Sequence, residues 1–199
     1  KHLSSFANMS MTQKLFFFFF AALTYYVLGL GGLELAIPPG FASAVWPASG
    51  AALFFVIKFP KIASLLGIGL GSFLINLGIG TNFYENMSSD AAVSAAIIGS
   101  GALLQALTGG LLYQKYVGSA ALPDTQKHVV RFLAIVAPIG CLVAATIAVT
   151  TLYVNGVIAE QNVLFSWSTW WAGDTIGVLL FTPLLLALSA DVEEMPLTL

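Results

Sequence analysis

The chain has 199 residues, of which 58% are hydrophobic and 8% charged, with a formal net charge of −2, and its mean hydropathy is +0.92. A soluble domain is about a quarter charged, so the composition excludes one and points to an integral membrane protein. Seven basic residues in all are too few for the electrostatic footprint of a nucleic-acid-binding surface.

The first apolar run covers about residues 15–36 and contains the aromatic stretch Phe16-Phe17-Phe18-Phe19-Phe20. It is long for a signal peptide and no small-residue cleavage site follows, so it reads as a retained span. The chain opens on Lys1, which suggests a piece of a longer protein. After Pro38-Pro39-Gly40 comes a second run at about 42–58, with Trp46-Pro47-Ala48-Ser49-Gly50 near its start. Phe59-Pro60 separates it from a third at about 61–80, rich in glycine and ending in Phe73-Leu74-Ile75-Asn76. A fourth run lies at about 91–113, a fifth at about 129–154, beyond a gap containing Pro123-Asp124, and a sixth at about 163–188.

Each run approaches the roughly 20 residues a spanning helix needs. They are unbroken, whereas barrel strands would alternate polar and apolar residues. The expected fold class is all-α and integral to the membrane: a bundle of six transmembrane helices over 15–188. The segments 1–14 and 189–199 are expected in the cytoplasm, the second as a linker to an output domain that lies outside this sequence. Lys1 and Lys14 precede the first run, Lys58 and Lys61 lie between the second and third, and Lys115, Lys127 and Arg131 flank the gap between the fourth and fifth. Alternate gaps therefore hold all the basic residues. The positive-inside rule makes that side cytoplasmic, with both termini on it. The expected location is a bacterial inner membrane.

Glycines cluster at Gly67, Gly69 and Gly71, and again at Gly99, Gly101, Gly109 and Gly110. No strand precedes either group, so they read as close-packing faces of membrane helices rather than phosphate loops. Cys141, the only cysteine, lies mid-run and reads as a small core residue, and no internal disulfide is possible. His2 and His128 lack carboxylate or cysteine companions at metal-ligand spacing, and Ser49 and Ser94 lack an adjacent base. Neither a metal, a cofactor nor a catalytic group is expected.

The residue that stands out is Asp174, in Trp170-Trp171-Ala172-Gly173-Asp174-Thr175-Ile176-Gly177 at the head of the sixth run. A carboxylate at membrane depth is costly by roughly 2.5–3.5 kcal/mol on insertion scales, so it faces a bundle interior or a wet cavity. Counting depth along each span at about 1.5 Å per residue brings Trp170, Trp171, Trp46, Ser49, Pro47 and Asn76 to the same outer half. Gln105 lies deeper. No basic residue is expected at the depth of Asp174. Aromatic residues such as Trp167 and Tyr153, and Glu34, read as membrane-interface residues in their own right. The candidate ligand-binding set is Asp174, Trp170, Trp171, Trp46, Asn76, Ser49, Pro47 and Gly173. In it, Asp174 would take hydrogen bonds or a positive charge, the tryptophans would form aromatic walls, and Asn76 and Ser49 would orient the ligand. Pro47, read as lying inside a helix, would expose backbone acceptors.

Trp46-Pro47-Ala48-Ser49-Gly50-Ala51-Ala52, the third run ending in Asn76, and Trp170-Trp171-Ala172-Gly173-Asp174-Thr175-Ile176-Gly177-Val178-Leu179 with Pro183-Leu184 together resemble the first family of bacterial membrane-associated sensor domains (MASE). The resemblance implies a sensory input domain preceding a cytoplasmic output module, a histidine kinase or an enzyme of cyclic di-GMP metabolism. It directs attention to Trp46, Pro47, Asn76, Trp170, Gly173 and Asp174. Members commonly carry about eight spans, so six implies a short version or a piece lacking the last pair. The expected partners are the lipid bilayer, a small molecule or membrane protein received from outside, and a second copy, by way of the output domain. Two other functions fit the residues: the substrate-binding membrane subunit of a vitamin-type transporter, and a scaffold that docks another membrane protein.

Overall fold

The computed structural model describes residues 9–35, 43–79, 89–118, 122–123 and 125–194. Among them the structure is helical: α1 (Met11–Leu33), α2 (Pro47–Lys58), α3 (Lys61–Ile79), α4 (Ser89–Tyr116), α5 (Gln126–Val154) and α6 (Val163–Glu194). Five of these are long and apolar enough to cross a membrane, and α2 is the short one.

Helix α1 begins four residues before its apolar run because Ser10 and Gln13 form a capping box. Gln13 N–H donates to Ser10 Oγ at 3.2 Å and Ser10 N–H to Gln13 Oε1 at 3.0 Å, which satisfies backbone donors that a helix start otherwise leaves unpaired. Thr125 caps α5 in the same way, its Oγ1 accepting from His128 N–H. Pro138 then has no N–H to continue the ladder, and the helix widens to a π-turn over Phe132–Val136 just before it. At the other end α6 continues past the apolar run to Glu194, so the first part of the expected cytoplasmic linker is helical.

The face that α1 turns into the bundle carries mostly small residues, and its large ones point outward. On α1 the buried face is Ala21, Ala22, Tyr25, Gly29 and Gly32, while Phe16, Phe19, Phe20, Leu23, Val27 and Leu30 are exposed. In water this would be an aggregating surface. In lipid it is the expected arrangement, because hydrocarbon tails solvate the large side chains and small residues let backbones approach. The glycines of α3 serve that approach: a Cβ at Gly71 would lie 2.5 Å from the Ala22 carbonyl oxygen and 2.9 Å from Tyr25 Cβ. The close-packing reading of that cluster holds.

Neighbour contacts run α1 to α3, α3 to α4, α4 to α5 and α5 to α6, and α2 touches α1, α3, α4 and α6. Helix α2 is therefore the central helix, and Pro47 through Val56 are all buried. Its 12 residues rise only about 18 Å, against the roughly 30 Å of hydrocarbon. The sequence reading had a helical run from about 42. Instead, the preceding residues Ser43 to Trp46 are not helical. Pro47 opens the helix at its first turn, where no backbone hydrogen bond is lost, and this corrects its placement inside a helix.

Of the non-helical stretch Ser43 is buried, Ala44 exposed and Val45 and Trp46 half-buried, and several of its polar groups bond to α1 and α6. Trp46 N–H donates to Gly173 O at 3.0 Å and Ala44 N–H to Leu35 O at 3.1 Å. Ser43 Oγ donates to Gly32 O at 2.6 Å and Val45 O at 2.8 Å. Ser49 Oγ reaches Trp46 O at 2.7 Å and Asp174 O at 2.9 Å, and about two turns further along α6 Thr182 Oγ1 donates to Gly50 O at 2.9 Å. These contacts form a seam between α2 and α6. At the opposite end of α2, Phe55 and Phe59 pack against Phe20 and Phe17 near the start of α1. The described basic residues Lys14, Lys58, Lys61, Lys115, Lys127 and Arg131 fall at that end, and Arg131 Nη1 donates to Tyr116 O across the α4–α5 connection.

The seam leaves no room for side chains on α6. A Cβ at Gly177 would lie 2.7 Å from both Ser49 Oγ and the Trp46 carbonyl carbon. Gly177→Val should destabilise the bundle by at least the roughly 1–3 kcal/mol typical of overpacking. Gly31→Ala, where a Cβ meets nothing within 4 Å, should be neutral or stabilising. Melting temperatures in mild detergent distinguish the two, and equal effects would refute the seam.

Candidate functional site

A cavity opens among the helices and is lined by Tyr25, Ser43, Trp46, Ser72, Asn76, Ile98, Ala102, Ala144, Trp170 and Asp174. Every helix except α2 contributes to the lining, and the non-helical stretch before α2 supplies Ser43 and Trp46. It lies in the half of the bundle away from the basic residues. About 30 Å³ is open to the centres of water-sized occupants, room for roughly two ordered waters.

Asp174 is 3% exposed. Its carboxyl is hydrogen-bonded by the side chain of Gln105, which is itself 7% exposed. Gln105 Oε1 is buried without a hydrogen-bond partner. Among the described residues no lysine, arginine or histidine lines the cavity. The acid is thus sequestered from bulk solvent, held by an amide, and not clasped by a basic side chain of the lining. The Tyr25 phenol and the Cys141 thiol lie within its electrostatic reach, and Cys141 hydrogen-bonds with Thr175, one residue along α6. Cys141 belongs to the hydrophobic core cluster, as its sequence context suggested.

The opposite wall is a second polar chain. Trp46 Nε1 donates to Tyr25 Oη at 3.3 Å, and Tyr25 and Ser72 share a hydrogen bond. Asn76 Nδ2 donates to Ser72 O at 2.8 Å and reaches Ser72 Oγ at 3.4 Å. Ser72 and Asn76 are four apart on α3, one above the other on the same helix face. With its N–H groups turned onto Ser72, what Asn76 has left for the cavity is its carbonyl oxygen.

Of the residues singled out in the sequence, Asp174, Trp170, Trp46 and Asn76 meet at the cavity. The others do not. Trp171 points to α5, its Nε1 donating to Pro138 O at 2.8 Å and its ring stacking on Trp167 at 6.2 Å. It is a packing residue between helices, not a wall. Ser49 has its hydroxyl engaged by Trp46 O and Asp174 O, so it ties α2 to α6 and does not orient a ligand. Pro47 is buried at the first turn of α2. Gly173 gives the chain at Ser43 its close approach and accepts from Trp46 N–H. These last three hold Trp46 and Asp174 in place from behind.

Sequence reasoning passed over Tyr25, Ser72, Ser43 and the role of Gln105. Gln105 carried a usable signal, a lone amide in the middle of an apolar run. Tyr25 was masked by the aromatic run before it.

The sequence profile of the MASE1 family matches residues 18–191, nearly the whole chain. No curated protein and no solved structure matches it. The chain belongs to the MASE1 family, membrane-associated sensor domains of signalling proteins.

The Asp174–Gln105 pair has a measurable signature. Gln105→Leu leaves a buried carboxyl without its amide and should cost about 1–3 kcal/mol or more. Adding Asp174→Leu should return much of that loss, since the double variant buries no unmatched polar group. Unfolding free energies in detergent, taken as a double-mutant cycle, should show coupling of about 1 kcal/mol or more; additive losses would dissolve the pair.

Proposed function

We propose that this domain is the sensory input of a signalling protein of the bacterial inner membrane, with the basic end of the bundle in the cytoplasm and the cavity opening from the periplasmic half. On this reading it crosses the membrane six times, α2 and the stretch before it together making one crossing, and both termini are cytoplasmic. Its ligand is a small molecule, and the domain itself catalyses nothing. A histidine kinase or a cyclic di-GMP enzyme attached beyond α6 reads the result, acting as a dimer.

The observation that carries this reading is the state of Asp174. A carboxyl buried at membrane depth, with no counterion among the described residues of its cavity, is expensive to maintain. It is built into the wall of a space rather than packed away, and the aromatic rings of Tyr25, Trp46 and Trp170 surround that space. Apolar and aromatic walls with one or two placed polar groups are the usual make-up of a small-molecule site.

The route from cavity to output runs along α6. Its 32 residues extend about 48 Å, longer than the roughly 30 Å of hydrocarbon, so the helix reaches from the cavity to beyond the cytoplasmic face. Trp46 is at once a cavity wall and a member of the seam, through its N–H on Gly173 O. A ligand that displaces the Trp46 ring therefore works against α6 directly. It shifts the bundle only by its difference in affinity for the two packings.

Asp174→Asn keeps the shape and removes the charge. In the full-length protein it should reduce ligand-dependent output by about tenfold, within the usual range of coupling between sites, with normal membrane insertion and melting temperature. Unchanged output in a normally inserted variant would make Asp174 a structural residue and remove the basis for the sensor site.

A further inference from the structure

The hydrogen-bonding inventory of the cavity narrows the class of ligand. Three of the wall's donors are spent within the protein. Trp46 Nε1 is on Tyr25, Asn76 Nδ2 is on Ser72, and Ser43 Oγ is on two backbone carbonyls. Acceptors remain on it: the Asp174 carboxyl has two oxygens and one amide partner, Asn76 keeps its carbonyl oxygen, and behind the lining Gln105 Oε1 is buried with no donor. A neutral or anionic guest rich in acceptors would leave these acceptors unmet in a medium where unmet polar groups are costly.

We infer that the ligand of this cavity is a small protonated primary amine, its ammonium group donating to the Asp174 carboxylate and to Asn76 Oδ1 and its carbon end lying among Tyr25, Trp46 and Trp170. This rests on the sensor reading above and specifies what is sensed. An ammonium carries three donors and no acceptor, which suits a wall presenting a carboxyl and an amide oxygen. The aromatic rings favour the same guest, because a cation over a tryptophan or tyrosine face is attracted by the ring quadrupole.

A hard metal ion is a poorer fit. Calcium-type ions gather six to eight oxygens, about 2.3–2.6 Å away, and among the described residues Asp174 is the single carboxylate in the lining. Among the described residues no three of His, Cys, Asp and Glu come together. The space is narrow as well, with Ile98, Ala102 and Ala144 closing the apolar side, so a short alkyl chain is accommodated and a bulky one requires Trp170, which is only partly buried, to swing out.

The test is a titration of the whole protein in lipid nanodiscs, following intrinsic tryptophan fluorescence, to which Trp46 and Trp170 report. The probes are methylammonium, ethylammonium and propylammonium chlorides, against tetramethylammonium chloride and sodium chloride at constant ionic strength. The expected result is a saturable change with an alkylammonium ion. Tetramethylammonium, equal in charge but without N–H groups, should bind at least about tenfold more weakly, as should alkylammonium ions to Asp174→Asn. Asn76→Leu, which keeps the carboxylate, should weaken binding less than Asp174→Asn does, and melting temperatures check that both variants fold. Equal binding of tetramethylammonium or sodium would overturn the donor argument, and no saturable response to any alkylammonium ion would overturn the amine assignment. The sensor reading fails separately: it falls if Asp174→Asn leaves signalling intact, whereas signalling that needs Asp174 in a protein indifferent to amines removes only the ligand class.

Discussion

The structure depends on one bonding problem, the satisfaction of a stretch of non-helical backbone inside an apolar bundle. Lipid offers no hydrogen bonds, so irregular backbone at membrane depth survives only where protein surrounds it. Here Ser43 is buried and Val45 and Trp46 half-buried beside α1 and α6, with Gly32 and Gly173 supplying both acceptors and proximity. Because that stretch stops short of helix, the indole of Trp46 projects sideways into the space between α1 and α6 and hydrogen-bonds Tyr25. A continuous second helix would have filled the same volume with backbone. The cavity therefore follows from the break.

A consequence is that the wall and the frame of the cavity share residues. Ser49, Gly50, Gly173, Gly177 and Thr182 make the seam, and the carbonyl of Asp174 itself is one of its acceptors. Asp174 is anchored twice, through its backbone to α2 and through its side chain to α4 by way of Gln105. Polar side-chain hydrogen bonds between membrane helices are individually modest, about 0.6 kcal/mol on average. A seam of several, laid over close glycine contacts, is stiff against sliding while no single bond dominates it.

Much of this was legible beforehand, for identifiable reasons. The long helices match their apolar runs because a span must be of a given length and because prolines and glycines punctuate the gaps. Their ends shifted where polar caps, Ser10 with Gln13 at α1, extended a helix beyond its apolar part. The short second helix was hidden because Ser43 to Trp46 carry no charge and no helix breaker before Pro47; composition reports hydropathy, not backbone shape. Trp170 and Trp171 could not be told apart for a similar reason. Adjacent residues on a helix point about 100° apart, so one faces the cavity and the other α5, and which is which depends on the rotation of α6 in the bundle. Asp174 was recognisable because a carboxylate in hydrocarbon has few explanations, and Asn76 and Trp46 followed from depth alone.

In the proposed sensor, the geometry of α6 limits what kind of movement can carry a signal. Backbone contacts at Gly173 and Gly177 leave no clearance for a piston of intermediate size, because sliding along the axis brings larger residues of the same helix face, such as Trp170 or Phe181, toward the seam. A whole-turn shift is about 5.4 Å, large beside what a guest of this size could drive. Tilt and rotation remain. Pro183 lies one residue past Thr182, the last contact of the seam, and as a proline within a helix it removes a ladder hydrogen bond at that point. The helix is thus fixed to α2 on the cavity side of Pro183 and released from the seam on the other. A small change in the setting of Trp46 against Gly173 would be converted at that joint into a change in direction of the last turns, those that lead out of the membrane.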